Sequence, residues 1–342
     1  MNISEEVPHN STELQWGSVR KVRTVDEIAS LLLLSTKKGS IDFEELRKSI
    51  VKARVDQATV YLVTRRRRVK NLAELYDDPR ALTTLAEDRR AFAKGVGIWI
   101  DSKGLMQLTA LGSSIKAALL NKNDRNVVLL NLLFESRYKA YRLFIERLAK
   151  LGGKFIIPSV YASRKKETGA REYLASKGFF TDLPSFHTIK ELFYDFQVVN
   201  WRVEPKRGSE TIFLTRGIHQ YHEVPLVQRL MKNIKGKVPL SEVDLTEFVS
   251  CFDLAIKALN FETDAYHDII SIRDEVCERL LISDQSFAKL LQKATSTKSR
   301  FRNRLFVGVG PLVDDLPMGY AQKLRTLPEL FEGEPITKMM IV

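Results

Sequence analysis

The residues with the clearest chemical potential lie in one basic stretch, from Gln57 to Lys70. A helix is predicted to begin near Asp56 and to end in a run of arginines. In a recognition helix, polar side chains meet base edges in the major groove of duplex DNA, whereas Arg and Lys meet phosphates. The candidates for the first role are Gln57, Thr59 and Thr64, and those for the second are Arg65, Arg66, Arg67, Arg68 and Lys70.

The geometry of a helix limits what this arginine run can do. Consecutive residues are rotated by about 100°, so we expect about two of the arginines at most to reach DNA together. One of them is suited to read guanine, because the guanidinium donates two hydrogen bonds to that base. A solvated basic helix end, which the helix dipole favours, explains the same residues. These two interpretations remain open.

A second basic cluster lies in and after a helix that Ser283 or Asp284 is predicted to cap. Lys289 and Lys293 are one turn apart and therefore share a face of this helix. The tips of two predicted hairpins carry weaker candidates, which ordinary charged turns explain equally well. The further phosphate-binding candidates are Lys298, Arg300, Arg302 and Arg304 after the helix, and Lys103, Arg202, Lys206 and Arg207 at the hairpins.

Catalytic and metal-binding patterns are missing from the sequence. It contains no phosphate-binding G-x-x-x-x-G-K-[ST] and no Gly-x-Ser-x-Gly nucleophile turn. His219 and His222 could share a helical face, but zinc would need two more ligands. Cys251 and Cys277 are expected to pack as core residues. We therefore expect no enzyme activity, no catalytic residues, no metal and no cofactor, although a site built from dispersed carboxylates stays open.

The overall charge favours a polyanionic partner. Lys and Arg number 54 against 42 Asp and Glu, giving a net charge of +12 and a pI near 9.5. Nucleic acid is the first candidate for such a chain, although many intracellular proteins are basic without binding one. No apolar run approaches the roughly 20 residues of a membrane span. The acidic start and two distant cysteines favour a cytoplasmic protein, nucleoid-associated if bacterial or archaeal.

A strand–turn–strand between Gly97 and Gly112 must position the first basic helix. Ile98 and Ile100 alternate as on one face of a strand, and Gly104 suits a tight turn. Thr109 is predicted to cap the next helix, which continues through Leu119. Upstream, the capping-box spacings Thr24 to Glu27 and Asp42 to Glu45 predict helix starts.

The three helices followed by this ribbon, together with the Leu-Thr-x-x-Gly step at 108–112, resemble the winged helix-turn-helix superfamily. The resemblance covers roughly residues 24–120 and is one of fold. It implies a recognition helix and a hairpin wing, and it does not decide between DNA binding and protein binding.

The rest of the chain repeats helices followed by hairpins. A long helix is predicted over 125–151, followed by a strand, two helices and a hairpin over 198–214. Later expectations are helices at 226–234 and 240–259, a capping box at Ser271, and the helix-turn-helix that ends in Lys289 and Lys293. A strand is predicted over 301–309. Prolines in the last segment predict an extended tail.

These patterns predict an α+β protein, predominantly α, with tandem winged-helix-like modules, short hairpin wings and a long connecting helix. The boundaries are 1–20 for a flexible arm, 21–122 and 123–222 for two modules, 223–313 for a helical helix-turn-helix module, and 314–342 for the tail.

The predicted function is non-catalytic binding of duplex DNA, by a regulator or a DNA-loading factor. The alternative is a structural subunit of a larger nucleic-acid-processing complex, for example in replication, transcription or anti-phage defence. In that complex the winged helices bind protein partners. The docking surfaces would be the aromatic helix with Tyr138, Tyr141 and Phe144, and the tail ending Met339-Met340-Ile341-Val342. Oligomeric state is open.

Overall fold

The computed structural model describes residues 19–20, 22–34, 40–48, 79–102, 105–121, 124–158, 167–179, 181–204, 209–262, 265–296, 305–308 and 338–341. Helices predominate in this part of the chain, and the strands form small antiparallel sheets. The expected class, α+β with a predominance of helix, is confirmed.

Among the described residues, three units follow the same order of elements: helix, strand, two helices, and two further strands. Unit 1 comprises α1 (Val25–Leu33), β1 (Ser40–Ile41), α2 (43–48), α3 (Pro79–Gly95), β2 (Trp99–Ser102) and β3 (Leu105–Leu108). Two helices follow it, α4 (Ala110–Leu120) and α5 (Arg125–Glu135).

Unit 2 comprises α6 (Lys139–Lys150), β4 (Lys154–Ile157), α7 (Glu167–Ser176), α8 (Leu183–Asp195), β5 (Val199–Val203) and β6 (Glu210–Leu214). A 3-10 helix, Arg216–Tyr221, and α9 (Pro225–Ile234) lead to the next unit. Unit 3 comprises α10 (Leu245–Leu259), β7 (Tyr266–Asp268), α11 (Ile269–Leu280), α12 (Asp284–Ser296), β8 (Leu305–Gly308) and β9 (Lys338–Ile341).

The last strand of each unit is central in its three-stranded sheet. The strand orders are β1-β3-β2, β4-β6-β5 and β7-β9-β8. All pairs are antiparallel, with Trp99 opposite Leu108 in unit 1 and Val199 opposite Leu214 in unit 2. In each unit, the last described strand in the chain therefore lies between the two strands that precede it.

Local capping explains where several helices begin. Thr24 accepts a hydrogen bond from the Glu27 amide, and the Glu27 carboxylate accepts one from the Thr24 amide, which confirms the predicted capping box. Asp42 and Glu45 pair in the same way. Such caps satisfy amides that have no partner within the helix.

In units 1 and 2, the threonine directly after the second hairpin strand connects the start of the hairpin to the helix that follows. The Thr109 hydroxyl donates to the Gly97 carbonyl at 2.7 Å and accepts from the Gly112 amide at 2.9 Å. The Thr215 hydroxyl likewise donates to the Gln197 carbonyl and accepts from the amide of Gly217. Thr109 therefore caps α4 as predicted, and unit 2 repeats the arrangement.

Units 1 and 2 share one apolar core, whereas unit 3 has its own. The shared core runs from Val22 and Ile28 in unit 1 to Phe144 and Phe193 in unit 2. The core of unit 3 is built on α10, α11 and α12, and it also contains Phe213 of β6. Cys251 and Cys277 are both buried in this second core, as expected.

The predicted long helix over 125–151 is wrong, because the chain leaves the helical conformation at Ser136. Ser136 has an extended ψ of 166°, and its hydroxyl donates to the Leu133 carbonyl at 2.7 Å. Tyr141 and Phe144 on α6 are 0% exposed. They belong to the core, so the aromatic docking surface considered from the sequence is also wrong.

Three smaller expectations need correction. Ile98 is buried but Ile100 is 51% exposed, because Trp99 is the buried residue of β2. Ser271 lies inside α11, whose N-cap is Asp268. Residues 338–341 of the predicted extended tail form the central strand β9, and Met339, which was expected on a docking surface, is fully buried. Met339 is therefore a core residue and cannot be part of a docking surface.

Candidate nucleic-acid interface

A tight turn joins α11 to α12 in unit 3. Leu281 takes a left-handed conformation with φ of 53°, and the Ile282 amide donates to the Cys277 carbonyl at 3.0 Å. The Ser283 hydroxyl then accepts from the Ser286 amide at 3.1 Å and caps α12, as the sequence predicts. The three residues 281–283 that separate the two helices make a turn of the length found in helix-turn-helix motifs.

The outer face of α12 is polar and basic. Gln285, Lys289 and Gln292 follow the i, i+4, i+7 spacing that places side chains in one stripe, with Lys293 beside them. Lys289, Gln292 and Lys293 are exposed, and Gln285 is half-buried. The apolar Phe287, Leu291 and Ala294 face the core of unit 3.

Within α12 itself, no carboxylate lies on this face. Asp284 is the acidic residue of α12, and it is 0% exposed. The exposed stripe therefore carries amide and ammonium groups and no carboxylate of its own. We refer to Gln285, Lys289, Gln292 and Lys293 as the α12 face.

A buried polar network fixes the first turn of α12 to unit 2. The Asn200 amide on β5 donates to Asp284 Oδ1 at 2.7 Å, and the Tyr194 hydroxyl on α8 donates to Asp284 Oδ2 at 2.8 Å. The same Asn200 amide donates to the Ile282 carbonyl at 3.1 Å. Because fully satisfied buried networks are rigid, α12 is held in one orientation relative to unit 2.

Arg273 of α11 supplies the positive charge of this network. Its guanidinium is fully buried and lies 3.4 Å from Asp284 and 3.1 Å from Asp274. Burial alone would lower the pKa of Arg273, but the carboxylates of Asp284 and Asp274 raise it above its ordinary value. The cation is therefore a permanent part of the junction between α11 and α12.

The hairpin candidate Arg202 has acidic partners within the chain. Its guanidinium pairs with Glu275 and lies 3.0 Å from Glu278, both on α11. Burial would lower the pKa of Arg202, but these two carboxylates raise it. Arg202 thus ties the β5–β6 hairpin to unit 3, and we leave it out of the proposed DNA contacts.

The helix of unit 2 that corresponds to α12 is enclosed by the start of the chain. The Val19 amide donates to the Ser185 hydroxyl at 2.9 Å, and the Val25 amide donates to the Asp195 carboxylate at 2.6 Å. Arg23 pairs with Glu191 at 3.0 Å. Because both ends and the middle of α8 are covered, this helix cannot enter a DNA groove in the structure described.

Most of the predicted contact residues lie outside the described part of the chain. Lys289 and Lys293 are placed together on α12, as their spacing predicts. The residues outside the described ranges are Gln57, Thr59, Thr64, Arg65, Arg66, Arg67, Arg68, Lys70, Lys103, Lys206, Arg207, Lys298, Arg300, Arg302 and Arg304.

Sequence reasoning missed Gln285 and Gln292 on the same face. Their signal was present, since they stand four residues before and three after Lys289, which are positions on one helical stripe. Asn200 and Asp284 could not have been paired from the sequence, because the chain between them folds through most of unit 3.

The histidine pair does not form a metal centre with its described neighbours. The Nδ1 of His219 lies 3.0 Å from the sulfur of Met231, and His222 is exposed. Among the described residues, no three or more His, Cys, Asp or Glu side chains are grouped to hold a metal ion. The described helices also include none that is both long and apolar enough to cross a membrane.

No protein-family profile and no curated protein matches the chain. A solved structure, described as the restriction endonuclease FokI bound to DNA, is similar over 91% of this chain. The match spans 66% of that protein, with 8% sequence identity and a TM-score of 0.31. A likeness of this size is too weak to carry an argument about fold or function, so the α12 face must be interpreted from its own geometry.

Proposed function

We propose that the chain binds duplex DNA through the α12 face, without a catalytic step. The observation that carries this proposal is the exposed stripe of Gln285, Lys289, Gln292 and Lys293, which lacks a carboxylate and is held on a rigid mount. Lysines of a groove-bound helix contact phosphates, and glutamine pairs with the N6 and N7 edge of adenine.

We infer that the three units are winged-helix modules. The repeated order of helix, strand, two helices and a hairpin, with the last strand central, supports this assignment. In this assignment α12 is the second helix of a helix-turn-helix and presents its polar face outwards, whereas residues 19–25 enclose α8. Unit 2 would then be a scaffold, and unit 3 would present the DNA-reading helix.

The basic stretch of unit 1 extends the proposal beyond the described residues. Gln57, Thr59 and Thr64 remain predicted base contacts, and Arg65 to Arg68 with Lys70 remain predicted phosphate contacts. A protein with two such elements and a net charge of +12 suits a regulator or a DNA-loading factor.

The proposal is tested with the full chain and a labelled duplex. Lys289→Ala with Lys293→Ala should weaken binding at least ten-fold and reduce the steepness of its salt dependence, because each lost phosphate contact lowers the log–log slope by about 0.9. Gln285→Ala with Gln292→Ala should instead alter which sequences are enriched from a random duplex pool.

A matched control is Lys48→Ala with Lys257→Ala, which removes two exposed lysines from other helices. Circular dichroism checks that each variant is folded. Duplex binding that is insensitive to salt, or a Lys289 and Lys293 variant that binds as tightly as the control, would contradict the proposal.

A second candidate function is supported by an apolar groove between α4 and α5. The groove has a volume of about 460 Å³, and Leu111, which is 49% exposed, lies at its edge. Val127 and Val128 line it, and Glu135 with Glu223 gives it an acidic rim. This surface suits an apolar and basic segment of a protein partner, as expected of a subunit in a larger assembly.

The two functions are separated by the behaviour of the purified chain. A monomer that binds duplex supports the DNA-binding function. A chain that binds no duplex and self-associates, and that becomes monomeric with Leu111→Gln, supports the subunit. Light scattering after size-exclusion chromatography gives the mass, and fluorescence anisotropy gives the binding.

A further inference from the structure

The turn between α11 and α12 is held by the hairpin of unit 2 and the residues beside it. The Leu281 carbonyl accepts from the Arg216 amide at 2.6 Å. The next carbonyl, that of Ile282, accepts the hydrogen bond from β5 described above. The Ser283 hydroxyl donates to Oε1 of Gln197 at 3.0 Å. Every residue of the turn therefore has a hydrogen bond to unit 2.

Gln197 makes its contact from an unfavourable backbone conformation. Its φ is 60°, in the left-handed region that few residues other than glycine adopt. The equivalent position of unit 1 is Gly97, with φ of 80°. The two positions correspond because both carbonyls accept the hydroxyl of the threonine that follows the hairpin. The backbone at this position therefore requires a positive φ, but it does not require a glutamine.

Backbone strain is concentrated where α12 is held. Three non-glycine residues in the described part of the chain have a positive φ, and two of them, Gln197 and Leu281, lie at this junction. The third is Asn260, of a residue type that tolerates the conformation. Strained residues persist where the surrounding structure fixes them, and they are concentrated at functional sites. The contact of the Gln197 side chain is thus the reason we infer for a glutamine here.

This contact orients the hydroxyl that caps α12. Because the hydrogen of Ser283 is donated to Gln197, its oxygen accepts from the Ser286 amide at 3.1 Å and from the Ser286 hydroxyl at 2.9 Å. Ser283 is 3% exposed, so water competes little for these bonds. Gln285 precedes Ser286 and is the residue of the α12 face nearest to this cap. The N-terminal part of a recognition helix is the part that contacts base edges.

We propose that Gln197 is a positioning residue, which acts through Ser283 to set the direction of the first turn of α12 and the base contact of Gln285. The inference rests on the proposed duplex-binding function and adds a determinant of sequence selectivity to it. Lys289 and Lys293 lie one and two turns further along the helix, so their phosphate contacts depend less on the cap. Gln197 should therefore affect selectivity more than the salt-dependent part of the affinity.

The test measures selectivity with the full chain. Selection from a random duplex pool gives the sequence that the wild type binds best, and anisotropy compares its affinity with that of a scrambled duplex of the same composition. Gln197→Gly removes the side chain and should fold, because glycine adopts the positive φ without strain. Asn260→Gly is the matched control, since it removes an exposed amide at a positive-φ position away from the junction. Circular dichroism checks the folding of each variant.

Gln197→Gly should lower the ratio of the two affinities about five- to ten-fold, part of the discrimination that a glutamine–adenine pair provides. The slope of log affinity against log salt should stay that of the wild type, because no phosphate contact is lost. A purely structural role would reduce the folded fraction, which lowers both affinities by the same factor and leaves their ratio unchanged. Gln197→Glu should keep the ratio within about two-fold of the wild type, since a carboxylate accepts the same hydrogen bond.

A double-variant cycle tests the path through Ser283. In a Ser283→Ala background, Gln197→Gly should cause no further loss of selectivity, because two residues that share one interaction are not additive. Additive losses overturn the inference. An affinity ratio that Gln197→Gly leaves unchanged, a loss as large in Asn260→Gly, or a loss as large in Gln197→Glu overturns it as well.

The inference and the proposed function fail in different ways. A wild-type chain that binds all duplexes with equal affinity overturns the role of Gln197 and leaves phosphate binding by Lys289 and Lys293 standing. A wild-type chain that binds no duplex at low salt overturns both.

Discussion

Asn200 donates its side-chain amide to the carboxylate of Asp284 at 2.7 Å, and both residues are fully buried. The contact joins the second strand of the unit 2 sheet to the first residue of α12. A helix that presents a polar face to a partner is therefore positioned by a residue that belongs to another unit. Unit 2 and unit 3 act as one body at this point.

Asn200→Ala is expected to destabilise the chain by about 2–3 kcal/mol, because it leaves a buried carboxylate oxygen without its donor. The cost is limited because Tyr194 and Arg273 still contact Asp284. Urea unfolding gives the free energy of unfolding, and Asn233→Ala, at an exposed amide, is the control. A loss below about 0.5 kcal/mol for Asn200→Ala would show that the network does not hold α12 in place.

Arg202→Gln separates a structural role for this arginine from a DNA-binding one. The variant removes one cation from Glu275 and Glu278, which keep Arg279 and Lys154 respectively. The free energy of unfolding should therefore fall by about 1–3 kcal/mol, while the salt dependence of duplex binding stays the same. Lys154→Gln is the matched control, since Lys154 pairs with Glu278 from an exposed position and should cost at most about 1 kcal/mol.

A DNA-binding role for Arg202 would give a different combination of salt dependence and stability. If the guanidinium contacts phosphate, Arg202→Gln lowers the salt slope by about 0.9 and leaves stability unchanged. Urea unfolding and anisotropy on the same samples distinguish the two outcomes.

Features that depend on neighbouring residues could be predicted from the sequence. The caps at Thr24, Asp42 and Thr109 were found because a capping side chain and its amide stand within about three residues. The hairpin of β2 and β3 was found from its turn chemistry. The lysine pair of α12 followed from helical spacing alone.

Features that depend on distant segments could not be predicted in this way. The strand β9 pairs with β7 and β8, which lie far back in the chain. The enclosure of α8 depends on residues 19–25, which lie more than 150 residues away in the chain. The break at Ser136 was hidden because α5 and α6 both bury apolar faces, so the apolar pattern continues across it.

Gly112→Ala tests the close contact between Gly112 of α4 and the backbone of Ile98, the residue just before β2. A Cβ at Gly112 would lie less than 3.0 Å from the Ile98 carbonyl oxygen, which is backbone and cannot move aside cheaply. We expect a loss of about 1–3 kcal/mol in the free energy of unfolding, as for overpacking elsewhere. Ser113→Ala, at the exposed neighbouring position, should stay within about 0.5 kcal/mol.

The matching position in unit 2 extends this prediction. An added Cβ at Gly217 would meet the Gln197 carbonyl oxygen in the same way. Gly217→Ala should therefore be destabilising by a similar amount. If alanine at Gly112 and at Gly217 leaves the free energy of unfolding unchanged, these two positions do not require glycine.

His219 makes the stability of the junction between unit 2 and α9 depend on pH. Burial lowers the pKa of His219 below its ordinary value near 6.5, although backbone groups of Pro239 and Val238 oppose the shift. The unfolded chain therefore binds a proton more readily than the folded chain, and stability falls as the pH drops below about 6.5.

His219→Gln removes this proton uptake, so the urea midpoints at pH 7.5 and pH 5.5 should lie closer together than in the wild type. His222→Gln, three residues on and exposed, is the matched control. A His219→Gln variant whose two midpoints differ as much as those of the wild type would show that His219 does not contribute to the pH dependence.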